Sequence, residues 1–110
     1  MNIREQNQNG VSVFVLEGRV DSDGAVELEQ ALLSAVSAGK SKMVLDLAEV
    51  KYMNSAGLRI LADVLTGTRE RGGDLYLVAP NKKVRRVFEI IGFDNFFQIF
   101  DEVSAAVKAF

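Results

Sequence analysis

The stretch MVLDLAEVKYMNSAGLRIL, residues 43–61, decides the fold because it begins with a strand pattern and ends with a helix pattern. Residues 43–47 are almost continuously apolar, which is typical of a central strand that is covered on both faces. A helix of about residues 56–71 follows, with Leu58, Leu61, Ala62 and Leu65 at i, i+3, i+4 and i+7 spacing. We expect a loop at residues 48–54 between the two. A strand that leads into an amphipathic helix is typical of a layered α/β fold.

The same alternation of strand and helix extends to both sides of this stretch. The turn signal Asn9-Gly10 precedes a β-rich segment, and the residues around Ile3 are its candidate hairpin partner. The spacing predicts strands at residues 11–16, 43–47 and 74–78, a short strand within 97–100, and helices at 24–38, 56–71, 81–91 and in the tail. We therefore predict a single α/β domain over residues 1–110, with a mixed sheet of four or five strands and about four helices.

Composition narrows the function classes. The 110 residues are 48% hydrophobic and carry a net charge of −2, the balance of a soluble globular domain without the basic face of a nucleic-acid binder. There is no cysteine and no histidine, so thiol chemistry, zinc-thiolate sites and the Ser-His-Asp triad are excluded. We predict that the protein is not an enzyme and uses no cofactor or metal.

Targeting and ligand-binding signals are absent as well. The first residues lack the apolar region of a signal peptide, and no apolar run approaches the roughly 18 residues that span a membrane. Neither a G-x-G-x-x-G fingerprint nor a complete P-loop is present. We expect a cytoplasmic protein that is a monomer when free and does not bind membranes.

Two segments at the carboxyl ends of strands are candidate functional loops, residues 18–24 and 48–56. Asn54 or Ser55 is suited to cap the following helix, and Gly57 allows another group to approach closely. Asp21 and Asp23 have two interpretations. They cap the following helix, or they hold a sugar or phosphate together with Arg19 and Asp46, and no spacing supports a paired-carboxylate site.

The motifs in these loops resemble those of one family. Tyr52-Met53, Ser55-Ala56-Gly57-Leu58 at a helix start is similar to the signature of STAS domains, the family of anti-sigma factor antagonists. Gly18-Arg19-Val20-Asp21 is similar to the glycine-x-aliphatic-aspartate that follows the family's second strand. The break at Gly72-Gly73 and the helix end at Ile90-Ile91-Gly92-Phe93 also match in order and spacing.

The resemblance implies a phosphorylation switch rather than a catalyst. In the family, a serine-kinase anti-sigma factor binds the unphosphorylated antagonist, releases its sigma factor and phosphorylates the motif serine. A metal-dependent serine phosphatase reverses this modification. The motif serine corresponds to Ser55 and the aspartate of the earlier loop to Asp21. The resemblance thus implies a partner-binding surface that comprises Asp21, Asn54, Ser55, Ala56, Gly57, Arg59, Ile60 and Asp63.

One residue departs from the family pattern. Asn54 stands where the residue before the motif serine is usually aspartate. Asparagine caps a helix as well as aspartate does, but it removes a negative charge beside the phosphoacceptor. This departure keeps a rival interpretation open, a STAS scaffold subunit of a signalling or lipid-transport complex that is not phosphorylated.

Two further patterns have more than one interpretation. Ile60 and Val64 lie beside the Leu58/Leu61/Leu65 stripe, so they pack under a neighbouring helix or face the partner. Lys82, Lys83, Arg85 and Arg86 crowd the start of the predicted third helix, where cations oppose the helix dipole. They form either a solvated face or a docking site for acidic groups.

Overall fold

The structure, a computed structural model, describes residues 1–110. Its elements follow the chain in the order β1 Asn2–Gln8, β2 Val11–Val20, α1 Ser22–Ser37, β3 Lys42–Met53, α2 Ser55–Glu70, β4 Asp74–Val78, α3 Lys82–Ile91, a 3-10 turn at Phe93–Asn95, β5 Ile99–Phe100 and α4 Val103–Lys108. The predicted mixed sheet with four helices is confirmed, and the sheet has five strands.

The five strands lie in the sheet in the same order as in the chain, β1-β2-β3-β4-β5. The β1–β2 hairpin is antiparallel, and the other neighbours are parallel. Each parallel pair is joined through a helix, and the crossovers advance across the sheet in one direction. Crossovers of one hand therefore place α1, α2 and α3 on the same face.

The main core lies between the sheet and these three helices. Leu28 of α1, Leu61 of α2 and Phe88 of α3 are fully buried in one cluster of 22 residues with Leu45 of β3. Burying a side chain of this size contributes roughly 1.5–3 kcal/mol relative to leaving it exposed. This core fixes the starts of α1 and α2 against the ends of β2 and β3.

The opposite face of the sheet is covered by α4. Ala106 and Val107 pack on Val44 and Tyr76, and Phe110 stacks on the Tyr76 ring with 4.1 Å between ring centroids. Burial raises the pKa of the Tyr76 phenol, and the Asp74 carboxylate adds to this effect while Arg69 opposes it.

The prediction of a loop at residues 48–54 is wrong, because β3 continues to Met53. The register between β2 and β3 shifts twice, between Val15 and Glu17 and between Gly18 and Arg19, so β3 has two more residues than β2 over this region. Each extra residue breaks the alternation of side chains between the two faces. The loop predicted at residues 18–24 is shorter in the structure, because β2 continues to Val20 and α1 begins at Ser22.

The helix faces agree only in part with the predicted stripes. Ile60 and Val64 are 7% and 0% exposed, so the first of their two interpretations, packing in the core, is confirmed. The predicted third-helix stripe is buried at Val84 and Phe88, but its members Val87 and Ile91 are 36% and 44% exposed. Only a narrow strip of α3 faces the core, where α3 contacts β3 and the 3-10 turn.

Candidate functional site

Two helix caps lie side by side at the carboxyl ends of β2 and β3. Val20 and Met53 are partners in the parallel ladder, so the residues that follow them, Asp21 and Asn54, leave the sheet together. Asp21 Oδ1 accepts a hydrogen bond from the Gly24 amide at 2.9 Å and caps α1. Asn54 Oδ1 accepts one from the Gly57 amide, also at 2.9 Å, and caps α2.

The backbone joins these two caps into one unit. The Asn54 amide donates a hydrogen bond to the Val20 carbonyl at 2.9 Å, across the point where the strands end. The predicted capping role is thereby confirmed for both Asp21 and Asn54. Asparagine at position 54 performs the cap that aspartate performs at position 21.

Ser55 is the first residue of α2 and is exposed. Its hydroxyl makes no hydrogen bond to another protein group, whereas the neighbouring cap satisfies the Gly57 amide. A hydroxyl here lies at the positive end of a helix dipole, beside first-turn N–H groups that favour negative charge. The Asp21 cap brings a carboxylate to the same edge of the sheet.

Glycine is required at the third position after each cap. A Cβ at Gly57 would lie 2.6 Å from Val20 Cγ1 and 2.9 Å from Met53 Cγ. A Cβ at Gly24 would lie 2.6 Å from the Arg19 carbonyl oxygen. Both distances are shorter than side-chain contacts allow, so the close approach predicted for Gly57 is confirmed. The starts of the two helices are pressed against the strand ends.

Arg19 and Tyr52 form a pair on the surface just below the caps. The two residues are partners in the β2–β3 ladder, and the Arg19 guanidinium carbon lies 4.5 Å from the centroid of the Tyr52 ring. This is a cation–π contact, worth about 0.5–1 kcal/mol at an exposed site. Tyr52 remains 42% exposed, so the end of the β2–β3 pair presents an aromatic face and a cation.

A shallow groove between α1 and α2, of about 200 Å³, brings most of the predicted partner-binding residues of α2 together. Ala56, Arg59, Ile60 and Asp63 line one wall. Arg59 and Asp63 are exposed, whereas Ile60 presents only the 7% of its surface that the core leaves open. Gly57 is buried and does not line the groove. We call this feature the α1–α2 groove.

The other wall of the α1–α2 groove was missed by sequence reasoning. Ser22, Val26 and Glu29 of α1 line it, and Val26 is 55% exposed. The available signal was an apolar residue one position off the Ala25/Leu28/Leu32 stripe. Arg19 was considered only as a carboxylate partner, and its contact with Tyr52 depends on strand register that the sequence does not reveal.

The groups at this edge are of several chemical kinds. No three Asp or Glu side chains come together as metal ligands would. None of the helices combines the length and the apolar character needed to cross a bilayer. An exposed hydroxyl, a carboxylate, a cation on an aromatic ring and a shallow groove are the chemical groups present at the edge.

Known proteins are similar to this chain in sequence and in fold. The model of the STAS domain family matches residues 2–106. BtrV of Bordetella bronchiseptica, which bears the name of an anti-sigma factor antagonist, is 38% identical over 102 residues, 93% of this chain and 88% of that protein. The crystal structure of an anti-sigma factor antagonist from Mycobacterium paratuberculosis is 30% identical, with a TM-score of 0.89 over 98% of this chain and 92% of that one.

More distant structures share the fold alone. The Bacillus cell fate determinant SpoIIAA in its phosphorylated form has a TM-score of 0.78 at 16% identity, and covers 99% of this chain and 100% of its own. The unphosphorylated form of SpoIIAA has the same TM-score at 14% identity, over 98% and 96%. With the family model matched over nearly all of its length, this chain belongs to the STAS domain family, and relatives similar to it over nine-tenths of its length bear the name of anti-sigma factor antagonists.

Proposed function

We propose that this protein is an anti-sigma factor antagonist that binds a serine-kinase anti-sigma factor and thereby frees a sigma factor. Phosphorylation of Ser55 switches this binding off, and a metal-dependent serine phosphatase restores it. The protein acts by binding and not by catalysis. The observation that carries the proposal is the exposed Ser55 hydroxyl, at the first position of α2 and beside the Asp21 cap, in a chain of this family.

The surroundings of Ser55 support a binding surface that includes the phosphoacceptor. The caps at Asp21 and Asn54 hold the first turn of α2 in place, so a partner meets a preformed surface. The α1–α2 groove begins at Ala56, directly after the serine, and extends to Asp63. A kinase bound to this groove therefore has the Ser55 hydroxyl at the edge of its contact area.

A second candidate function is that of a scaffold subunit in a signalling or lipid-transport complex. Asn54 favours it, because the family's usual aspartate beside the phosphoacceptor is absent. The caps and the groove would serve a constitutive interface equally well. The two candidates differ in one property, transfer of a phosphoryl group to Ser55.

We expect the cognate serine-kinase anti-sigma factor and ATP to add one phosphate, at Ser55, because this hydroxyl is exposed and has no partner within the protein. Intact-protein mass spectrometry followed by peptide mapping measures this. Ser55→Ala should bind the kinase and accept no phosphate. Modification mainly at Ser12, Ser41 or Thr66 would contradict the assignment, and binding without any modification would favour the scaffold.

We expect Arg59→Glu to lower affinity for the anti-sigma factor about tenfold, because it reverses an exposed charge in the wall of the α1–α2 groove. The melting temperature should change little, since exposed substitutions usually stay within about 0.5 kcal/mol. Arg71→Glu, at the exposed far end of the same helix, is the matched control and should retain full affinity. Titration calorimetry measures both. Equal affinities would move the interface away from this groove.

A further inference from the structure

A second groove lies on the other side of α2, between its first turn and α3. Six of its eight lining residues are apolar, and its volume is about 90 Å³. Ligand pockets for small molecules usually measure roughly 300–1,000 Å³, so this groove fits one apolar side chain and not a metabolite. We call it the α2–α3 groove, and its lining includes Lys51, Tyr52, Leu58, Lys83, Val87 and Phe88.

An exposed apolar strip continues from the α2–α3 groove along α3. Lys83, Val87 and Ile91 are four residues apart and share one face of the helix. Val87 is 36% exposed, Ile91 is 44% exposed, and Ile90 beside them is 74% exposed. These three side chains contribute little to the core, and their exposure leaves apolar surface for a partner to cover.

The charges around this strip are mainly positive. The two polar residues of the groove lining are lysines, Lys51 and Lys83, and both are exposed. α3 carries four basic residues and a single acid, Glu89, in a chain whose net charge is −2. The three salt bridges of the protein lie elsewhere, so none of these cations is neutralised by an ion pair.

We propose that the α2–α3 groove and the adjoining strip of α3 dock an acidic amphipathic helix of a partner protein. An apolar side chain of that helix enters the groove, and its carboxylates face Lys51 and the cations of α3. This surface is separate from the α1–α2 groove, and it goes beyond the proposed function because it does not depend on phosphorylation of Ser55. The cations oppose the dipole of their own helix, and a negatively charged partner relieves that unfavourable arrangement.

The concave shape favours a helix over an anionic membrane surface. A lipid surface would meet the exposed Ile90 and the cations but would leave the groove behind Val87 unfilled. A helix with an apolar residue every three or four positions fills the groove and also covers Ile91, one turn beyond Val87 along α3.

The test uses ¹⁵N amide spectra and a defined probe, the peptide acetyl-Glu-Asp-Leu-Glu-Glu-Leu-Leu-Glu-Asp-Leu-amide. We expect shifts confined to residues 51–53, 58 and 83–91 on titration with this peptide. A peptide with lysine at every acidic position should give no shifts. Shifts outside these residues, or equal shifts with both peptides, would overturn the proposal.

Lys83→Glu is the informative variant, since an acid in the first turn of α3 suits the helix dipole and keeps the helix folded. We expect it to weaken peptide binding at least tenfold, whereas Lys108→Glu on the exposed side of α4 should leave binding unchanged. An equal loss of peptide affinity in both variants would mean that only the net charge of the protein matters, and would overturn the proposal. Binding to vesicles of equal parts phosphatidylcholine and phosphatidylglycerol, with no binding of the peptide, would assign the surface to a membrane instead.

Discussion

Phosphorylation of Ser55 is expected to lower affinity for the anti-sigma factor at least tenfold while the domain stays folded. A phosphoserine adds a charge of about −1.5 to −2 at neutral pH. At the first position of α2, this charge meets the positive end of the helix dipole, so the fold tolerates it. A loss of about 1.4 kcal/mol in binding free energy is a tenfold loss in affinity.

The same charge disrupts binding because the partner must desolvate it. The phosphate charge is added to the edge where the Asp21 carboxylate already lies. Asp21 directly follows Val20, which is the ladder partner of Met53. Repulsion and desolvation at an interface cost several kcal/mol. We therefore expect the switch to act by blocking a surface and not by refolding the domain.

Two measurements check this mechanism. Amide spectra of the phosphoprotein should change only near residues 19–24 and 52–60, and calorimetry should give the loss of affinity. The substitution Ser55→Glu places a negative charge at the same position as the phosphate. Its matched control is Ser104→Glu, which also puts an acid in the first turn of a helix, but in α4 on the opposite face of the sheet. Widespread spectral change, or phosphoprotein that binds as tightly as the unmodified form, would show the mechanism to be wrong.

Gly57→Ala is expected to destabilise the protein by about 1–3 kcal/mol, the range for overpacking a well-packed core. The new methyl group would meet Val20 Cγ1 at 2.6 Å and Met53 Cγ at 2.9 Å, and both neighbours are buried in the main core. Relief of these contacts requires the first turn of α2 to move away from the strand ends. The Asn54 cap, which bonds to the Gly57 amide, would move with it.

Gly67 of the same helix provides the control, with the opposite sign. Its Cβ would lie 3.5 Å from Val36 Cγ1, an ordinary contact, and alanine is the better helix former. Gly67→Ala should therefore stabilise the protein by roughly 0.5–1 kcal/mol. Urea denaturation of both variants measures the difference. A gain in stability at both positions would mean that α2 does not press on the strands at Gly57.

The sequence was sufficient for the features that depend on local patterns. The apolar run at residues 43–47, the turn at Asn9-Gly10 and the helix spacings are local signals, and the elements they predict are present. The cap at Asn54 is also local, since a short polar side chain three residues before the amide it binds is a common helix start.

Features that depend on tertiary contacts could not be predicted from the sequence alone. Val50 and Met53 point into the core, but the first register shift puts Val50 out of phase with Met43, Leu45 and Leu47. The second shift restores the phase at Met53. The burial of Ile60 depends on the side from which α1 approaches α2. The proximity of Asp21 to Ser55 depends on the pairing of β2 with β3, which only the family resemblance implied.

The order of the strands has a consequence for synthesis of the protein. Neighbours in the sheet are consecutive in the chain, so no strand has to enter between two strands that are already paired. The β1–β2 hairpin can form as soon as its residues leave the ribosome, and each later strand then adds to an edge that already exists. Growth in this direction brings the Asp21–Ser55 edge together before β4 and β5 join the sheet.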